Sequence, residues 1–163
     1  MAKIDREYLK SIIFGIEDSL VSTTGLIVGL SVGADNKQIV ILGGAVAIAI
    51  EAVSMGASEY LSDDAMQDLD KIKRHRDNPL ISGTLMLLSY LAAGLIPLLP
   101  VLLFDYPSSL YYSVIFALIG LFLLGYVKGK LTHVSPLRGG LKILIVGGLA
   151  TALGVIVGML FKV

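Results

Sequence analysis

The stretch LISGTLMLLSYLAAGLIPLLPVLLF, residues 80–104, contains no charged side chain and decides the fold class. A helix that crosses the hydrocarbon core of a bilayer needs about 20 mostly apolar residues, and this stretch supplies them. Four other stretches have the same character, so we predict an all-α integral membrane protein with five transmembrane helices. The predicted spans cover residues 12–33, 38–61, 80–104, 110–127 and 141–161.

The composition of the whole chain agrees with this prediction. Of its 163 residues 55% are hydrophobic and only 16% are charged, and the mean hydropathy is +0.83. A soluble domain usually carries about a quarter charged residues. Acidic and basic residues are equal in number, which gives no reason to expect a nucleic-acid partner. The absence of cysteine excludes disulfides, thiolate metal sites and thiol catalysis.

The basic residues give the predicted helices a direction. Every Lys and Arg except Lys37 and Lys162 lies before the first span, between the second and third, or between the fourth and the start of the fifth, where Lys142 is the second residue. Basic residues favour the cytoplasmic side of a membrane, so we predict a cytoplasmic N-terminus and an external C-terminus. Residues 1–163 then form a single transmembrane domain with a short cytoplasmic linker at residues 62–79.

Acidic side chains lie inside the first two predicted spans, at Glu17, Asp18, Glu51 and Glu59. A carboxylate at this depth costs a few kcal/mol on insertion scales unless it is protonated, faces a partner or binds a cation. The interiors of the other three spans contain no acidic or basic residue. We therefore expect the polar function of the protein to be concentrated in the first helical hairpin.

Helical spacing arranges these acids for binding a metal ion. Glu51, Met55 and Glu59 are four residues apart and share one helix face, and Asp18 is expected at the depth of Met55. Carboxylates with a thioether favour Fe²⁺, Mn²⁺, Co²⁺ or Zn²⁺ over Mg²⁺. The alternatives are ordinary packing for Met55 and solvation for Glu17 and Glu59. We predict metal ligands at Asp18, Glu51, Met55 and Glu59, with possible secondary ligands at Glu17 and Asp63.

Rows of small residues occur in several predicted spans. The first span contains Gly25, Gly29 and Gly33, and the fifth contains Gly154 and Gly158. Such rows let helix backbones approach closely, either within one subunit or between two. A five-helix protein of this size has little interior of its own. We therefore predict a homodimer that meets through the first two helices.

Other residues lead to local expectations. Pro97 and Pro100 predict that the outer end of the third span is kinked or unwound. Tyr106, Tyr111 and Tyr112 are placed as an aromatic belt at the membrane interface would be. His75, near the acids of the linker, and His133 are expected to be solvated.

Three stretches of the chain carry a resemblance to a known family. They are FGIEDSLVSTTGLIVGLSVGA (residues 14–34), AVSMGASEYLS (52–62) and GYVKGKLTHVSPLRGGLKILIVGGLATALGVIVG (125–158). They resemble the first span, the second-span motif and the final hairpin of the vacuolar iron transporter family. The resemblance implies five transmembrane helices, a homodimer with its ion path along the first two helices, and proton-coupled export of Fe²⁺ or Mn²⁺ from the cytosol.

The family's motifs are carried over residue by residue. Its first-span Asp falls on Asp18, its second-span Met on Met55, and the acid of its second motif on Glu59. The family's second-span acid lies a turn earlier than Glu51, near Ala47, so Glu51 is retained for its depth. Plant members carry a longer cytosolic region rich in Glu and Met, and here only residues 62–79 stand in its place. The chain thus resembles a short, prokaryote-like member.

The leading functional hypothesis is a multi-pass transporter in the cell membrane that exports Fe²⁺ or Mn²⁺ in exchange for protons. Its expected partners are the lipid bilayer, the divalent metal ion and a second copy of the chain. The alternatives are a transporter of another cargo, such as Mg²⁺, Ca²⁺ or an organic solute, and a non-transporting metal sensor or scaffold. We expect no catalytic residue and no resident cofactor, since no nucleophile–base pair is evident.

Overall fold

The computed structural model describes residues 6–69, 78–131 and 135–162. Within them the chain forms five α-helices, each long and apolar enough to cross a membrane. They are α1 (Arg6–Ala34), α2 (Lys37–Leu69), α3 (Pro79–Leu103), α4 (Ser108–Leu131) and α5 (Pro136–Leu160). The predicted all-α membrane protein with five spans is therefore confirmed.

Several helices are longer than the predicted spans. α1 begins before residue 12, and α2 continues about two turns beyond residue 61 to Leu69. These extra turns carry charged residues, which hydropathy excludes from a span although such residues are tolerated in a helix that extends into water. The linker predicted at residues 62–79 is therefore helical in its first part. His75 and His133 lie outside the described residues.

Side-chain caps set the starts of two helices. Asn36 accepts hydrogen bonds from the backbone of Gln38 at 2.9 Å and Ile39 at 3.3 Å, which starts α2 directly after α1. Asp35 turns the chain between them with a left-handed φ of 43°. Asn78 caps α3 in the same way, with Pro79 at the first helical position.

α1 lies at the centre of the bundle and contacts all four other helices. α2 packs on α1 and α3, and α5 packs on α1 and α4. In the described part of the chain α2 does not pack against α4 or α5. α2, which carries the acidic stripe of Glu51, Met55 and Glu59, is thus at the edge of the bundle, packed on α1 and α3 with another face uncovered.

The glycine row of α1 packs against α5. A methyl group on Gly29 would lie 2.8 Å from the carbonyl oxygen of Gly154, and one on Gly25 would lie 2.9 Å from that of Ala150. Such a close approach requires glycine, because a side chain at these positions would collide with backbone. The row was predicted to pack either within one subunit or between two, and the structure shows packing within one subunit.

The prolines of α3 do not unwind it. α3 is helical through Pro97 and Pro100 to Leu103, so of the two predicted alternatives the unwound end is wrong, and the kink stays a prediction. Neighbouring helices can satisfy polar backbone groups near such prolines. Here the Ser113 hydroxyl on α4 donates to the Pro97 carbonyl at 2.5 Å.

Candidate metal site

Two hydrogen bonds fix the register between α1 and α2. The Ser11 hydroxyl donates to Glu59 Oε1 at 2.6 Å, and the Ser22 hydroxyl donates to Glu51 Oε2 at 3.3 Å. Asp18 lies four residues before Ser22 and Met55 four residues after Glu51 on the antiparallel neighbour. Because both helices rise about 1.5 Å per residue, Asp18 and Met55 lie at about the same level.

The four predicted ligands lie at the edge of the bundle. Asp18, Glu51, Met55 and Glu59 are each partly buried, neither sealed in the core nor fully exposed. Asp18 is close enough to Glu51 for the two charges to act on each other. Asp63, also partly buried, continues the stripe one turn beyond Glu59. The acids therefore follow one surface of the α1–α2 hairpin.

Glu51 is the most extensively hydrogen-bonded of these acids. Besides Ser22, it accepts a hydrogen bond at Oε2 from the hydroxyl of Tyr90 on α3. The Tyr90 and Ser22 hydroxyl oxygens are themselves 2.7 Å apart. Three helices thus meet at this carboxylate, and the polar cluster is not confined to the first hairpin as the sequence predicted.

Tyr90 was missed by the sequence analysis, although the sequence contains a signal for it. Tyrosine in membrane proteins is enriched at the membrane interface, whereas Tyr90 lies in the middle of the apolar α3. A phenol at that depth needs a polar partner. The identity of that partner depends on how α3 packs against α1 and α2, which helical spacing does not reveal.

Glu17 has a different environment from its neighbour Asp18. Its Oε2 forms an ion pair of 2.8 Å with Lys128 Nζ on α4. Successive residues of a helix point about 100° apart, so Glu17 faces α4 while Asp18 faces the region of Glu51. The structure thus places this possible secondary ligand in an ion pair between helices.

One subunit does not assemble a complete ion-binding cluster from its described residues. No group of three His, Cys, Asp or Glu side chains in residues 6–69, 78–131 and 135–162 is arranged to hold a metal ion. The stripe instead offers its carboxylates singly, about one turn apart. Such a series could hold an ion briefly at several levels, or tightly where further ligands are added.

An open groove of about 640 Å³ lies between α1, α2 and α5. Its walls are apolar except for Ser22 and Glu51 at one end, and it extends along α1 to Gly33 and Ala34. Glu51 is therefore accessible from the side of the molecule where α1 ends. Asp18 and Glu59 lie closer to the end where α1 begins.

The sequence pattern of the VIT family matches residues 9–77 and 63–159, which together take in almost the whole chain. The chain belongs to the VIT family. The motifs of α1, α2 and the α4–α5 hairpin lie within the matched regions, as do the described helices apart from the first three residues of α1 and the last residue of α5. The family resemblance seen in the sequence is therefore confirmed.

Proteins that are similar to this chain include vacuolar iron transporters. Vacuolar iron transporter 1 of Arabidopsis thaliana is 25% identical over 207 aligned positions, which cover 90% of this chain and 83% of that protein. Vacuolar iron transporter homolog 2 of the same plant is 24% identical, covering 90% of this chain and 80% of the relative. The vacuolar iron transporter of Plasmodium berghei (strain Anka) is 26% identical, covering 98% and 84%.

The lengths of the aligned regions differ among these relatives. The match to transporter 1 runs over 207 positions, more than the 163 residues of this chain, so that relative carries extra residues inside the matched region. The match to homolog 2 needs only 157 positions. In the length of its aligned region this VIT family chain is therefore closer to homolog 2, as expected for a member with a short linker at residues 62–79.

Proposed function

We propose that this VIT family protein exports Fe²⁺ or Mn²⁺ from the cytosol in exchange for protons. The observation that supports it most is the stripe of partly buried acids along α1 and α2, with Met55 level with Asp18. Membership of the VIT family and the iron transporters among its relatives support a metal ion as the cargo. The acids and the thioether favour a first-row divalent ion.

The spacing of the ligands suits transfer of an ion from level to level. Glu59, Met55 and Glu51 follow one another at intervals of about 6 Å along α2. Because Asp18 is level with Met55, each step passes the ion from one carboxylate to another, so that no single level has to bind the ion too tightly to release it. The groove that reaches Glu51 supports release on the side where α1 ends.

Charge balance supports proton coupling. A bound divalent cation compensates the acids within the membrane, and once it leaves, those acids are left without compensation. Protons taken up by the emptied carboxylates restore neutrality at low cost. An exchange of metal for protons therefore avoids an uncompensated intermediate.

A second copy of the chain would complete the coordination. One subunit forms no three-ligand cluster among its described residues, and α2 has an uncovered face. On that face Ser54 and Ser58 are exposed, although hydroxyl groups are poorly solvated by lipid tails. A homodimer that meets at this face would cover both serines and bring two acidic stripes together.

The orientation supports export. In the described chain Lys128, Lys130, Arg138 and Lys142 lie at the end of the bundle where α1 begins. By the positive-inside rule this end faces the cytosol, and the groove side faces outward. The cell membrane is our proposed location for this multi-pass protein.

Flux in lipid vesicles tests the proposal. Purified protein is reconstituted with a metal-sensitive dye inside, and Fe²⁺ or Mn²⁺ is added with and without an acidic lumen. We expect metal uptake that rises with the proton gradient and falls by about tenfold or more in Asp18→Asn. Protein-free vesicles control for leakage.

The same experiment separates the alternatives. Flux of Mg²⁺ or Ca²⁺ but not of Fe²⁺ or Mn²⁺ would show a different cargo. Metal binding by calorimetry with no flux of any ion would indicate a sensor. Undiminished flux in Asp18→Asn would remove Asp18 from the mechanism.

A further inference from the structure

Tyr90 is a buried polar group in the middle of a helix that carries no charge. α3 carries no charged residue, and Tyr90 is 0% exposed. A phenol removed from water is costly unless its hydroxyl is hydrogen-bonded. Here the hydroxyl donates to Glu51 Oε2 and lies 2.7 Å from the Ser22 oxygen. The only acid that contacts this hydroxyl in the described chain is one of the proposed metal ligands.

The surroundings of Tyr90 hold it in place. Ser19 donates to the Tyr90 carbonyl at 2.7 Å, and Ser22, one turn along the same face of α1, contacts its hydroxyl. Gly94 makes this approach possible, because a methyl group there would lie 2.9 Å from Ser19 Oγ. The backbone and the hydroxyl of Tyr90 are thus both attached to α1, so that the phenol is a rigid donor.

We infer that Tyr90 is a positioning residue for metal transport, acting through Glu51. Its hydroxyl holds Oε2 of the carboxylate, which fixes the side chain and leaves Oε1 to face the ion near Asp18. A glutamate has three rotatable bonds, and without this contact it would lose more entropy on binding an ion. The inference rests on the proposed function, since it assigns a task to Tyr90 within the same site.

The assigned role predicts a loss of apparent affinity with little loss of maximal rate. Tyr90→Phe keeps the ring that fills the core and removes only the hydroxyl. We expect the KM for Fe²⁺ or Mn²⁺ to rise about tenfold, the scale of one lost hydrogen bond to a charged group. In a Glu51→Gln background, Tyr90→Phe should change the KM by less than about twofold, because the group it positions is already altered.

A second, spectroscopic measurement is independent of transport. The infrared band of the Glu51 carboxyl group is identified as the band lost in Glu51→Gln, in the reconstituted full-length protein. Tyr90→Phe should shift this band, since a carboxyl group that loses a hydroxyl partner changes its C–O stretch. Ser22→Ala should shift it in the same direction, and this variant serves if Tyr90→Phe does not fold.

The matched control is Tyr112→Phe, which removes the hydroxyl of an exposed tyrosine that lies against Phe104. It should leave the KM and the infrared band unchanged. An unmoved Glu51 band in both Tyr90→Phe and Ser22→Ala would overturn the inference, as would equal effects of Tyr90→Phe with and without Glu51→Gln. Absence of wild-type flux, by contrast, would refute the proposed function, and a shifted band would still place Tyr90 in control of Glu51.

Discussion

Glu17 and Lys128 are joined by an ion pair of 2.8 Å that connects α1 to the last turn of α4. The adjacent Asp18 has no such ion pair in the described chain, and it lies near enough to Glu51 for the two charges to act on each other. One peptide bond therefore separates an acid that holds two helices together from an acid in the proposed metal path. Substitutions of Glu17 and Asp18 can therefore be compared to test which carboxylates are needed for transport.

Glu17→Gln should leave metal flux within about twofold of the wild type, because a partly exposed ion pair contributes only about 0–1 kcal/mol. Asp18→Asn should reduce flux by about tenfold or more, the effect expected when a charged ligand is lost. Vesicle flux for both variants is the measurement. A larger loss in Glu17→Gln than in Asp18→Asn would contradict the assignment.

Met55→Leu should weaken the preference of the transporter for Fe²⁺ over Mg²⁺. Leucine has a similar volume but lacks the thioether, so Fe²⁺ should lose about fivefold in apparent affinity while Mg²⁺ competition changes little. Competition for flux by a panel of divalent ions measures this. The matched control is Met86→Leu, because Met86 is fully buried in α3 and should affect stability alone. Equal selectivity changes in the two variants would argue against a ligand role.

Gly29→Ala should destabilise the protein by about 1–3 kcal/mol, since its methyl group would press on the backbone of Gly154 and force the helices apart. Thermal unfolding in detergent micelles is the measurement. Gly148→Ala is the control, because a methyl group there meets nothing within 4 Å. If both variants were equally stable, the α1–α5 contact would not be a tight one.

Tyr106→Phe tests the loop between α3 and α4. The Tyr106 hydroxyl donates to Asp35 Oδ1 at 3.1 Å and to the Ser31 carbonyl at 3.2 Å. Burial, and then the hydrogen bond to Asp35, raise the pKa of Tyr106 above its ordinary value of 10.0. The protonated phenol therefore stabilises the fold below pH 10, and this stabilisation is lost as the pH rises through the raised pKa.

We expect Tyr106→Phe to cost about 1 kcal/mol at neutral pH, the usual net contribution of one hydrogen bond. The difference from the wild type should shrink at strongly alkaline pH, because the wild-type phenol ionises there. Unfolding curves at pH 7 and above pH 10 provide the comparison. A difference that grew with pH would show that the hydroxyl does not act as a donor.

Composition and helical spacing predicted most of the architecture. Residues 80–104 are too apolar for any setting but a membrane, and α3 spans them as far as Leu103. The four-residue spacing of Glu51, Met55 and Glu59 placed them on one stripe, and their bonds to α1 bring Asp18 level with Met55. Composition and the spacing of residues along each helix are local properties, so one sequence is sufficient to find them.

Contacts between helices were beyond this kind of prediction. The glycines at 25, 29 and 33 are suited equally to a neighbouring helix or to a second subunit, and only the fold shows that they meet α5. Glu17 and Asp18 differ by one step around α1, but which of them faces Lys128 depends on where α4 lies. Tyr90 was missed because its partner Glu51 is 39 residues away in the sequence.

The contact between α1 and α5 limits how the protein can move. Backbone touches backbone at Gly29 and Gly154, so we expect these two helices to behave as one rigid body. α2 is attached to α1 by hydroxyl–carboxylate bonds at Glu51 and Glu59, which are easily exchanged. α2 is attached to α3 as tightly as α1 is to α5, because a methyl group on Gly56 would lie 2.8 Å from the carbonyl oxygen of Gly83, so α2 would not move alone against the rest of the bundle. The acids proposed to bind the ion would therefore also be the groups that hold α2 against α1.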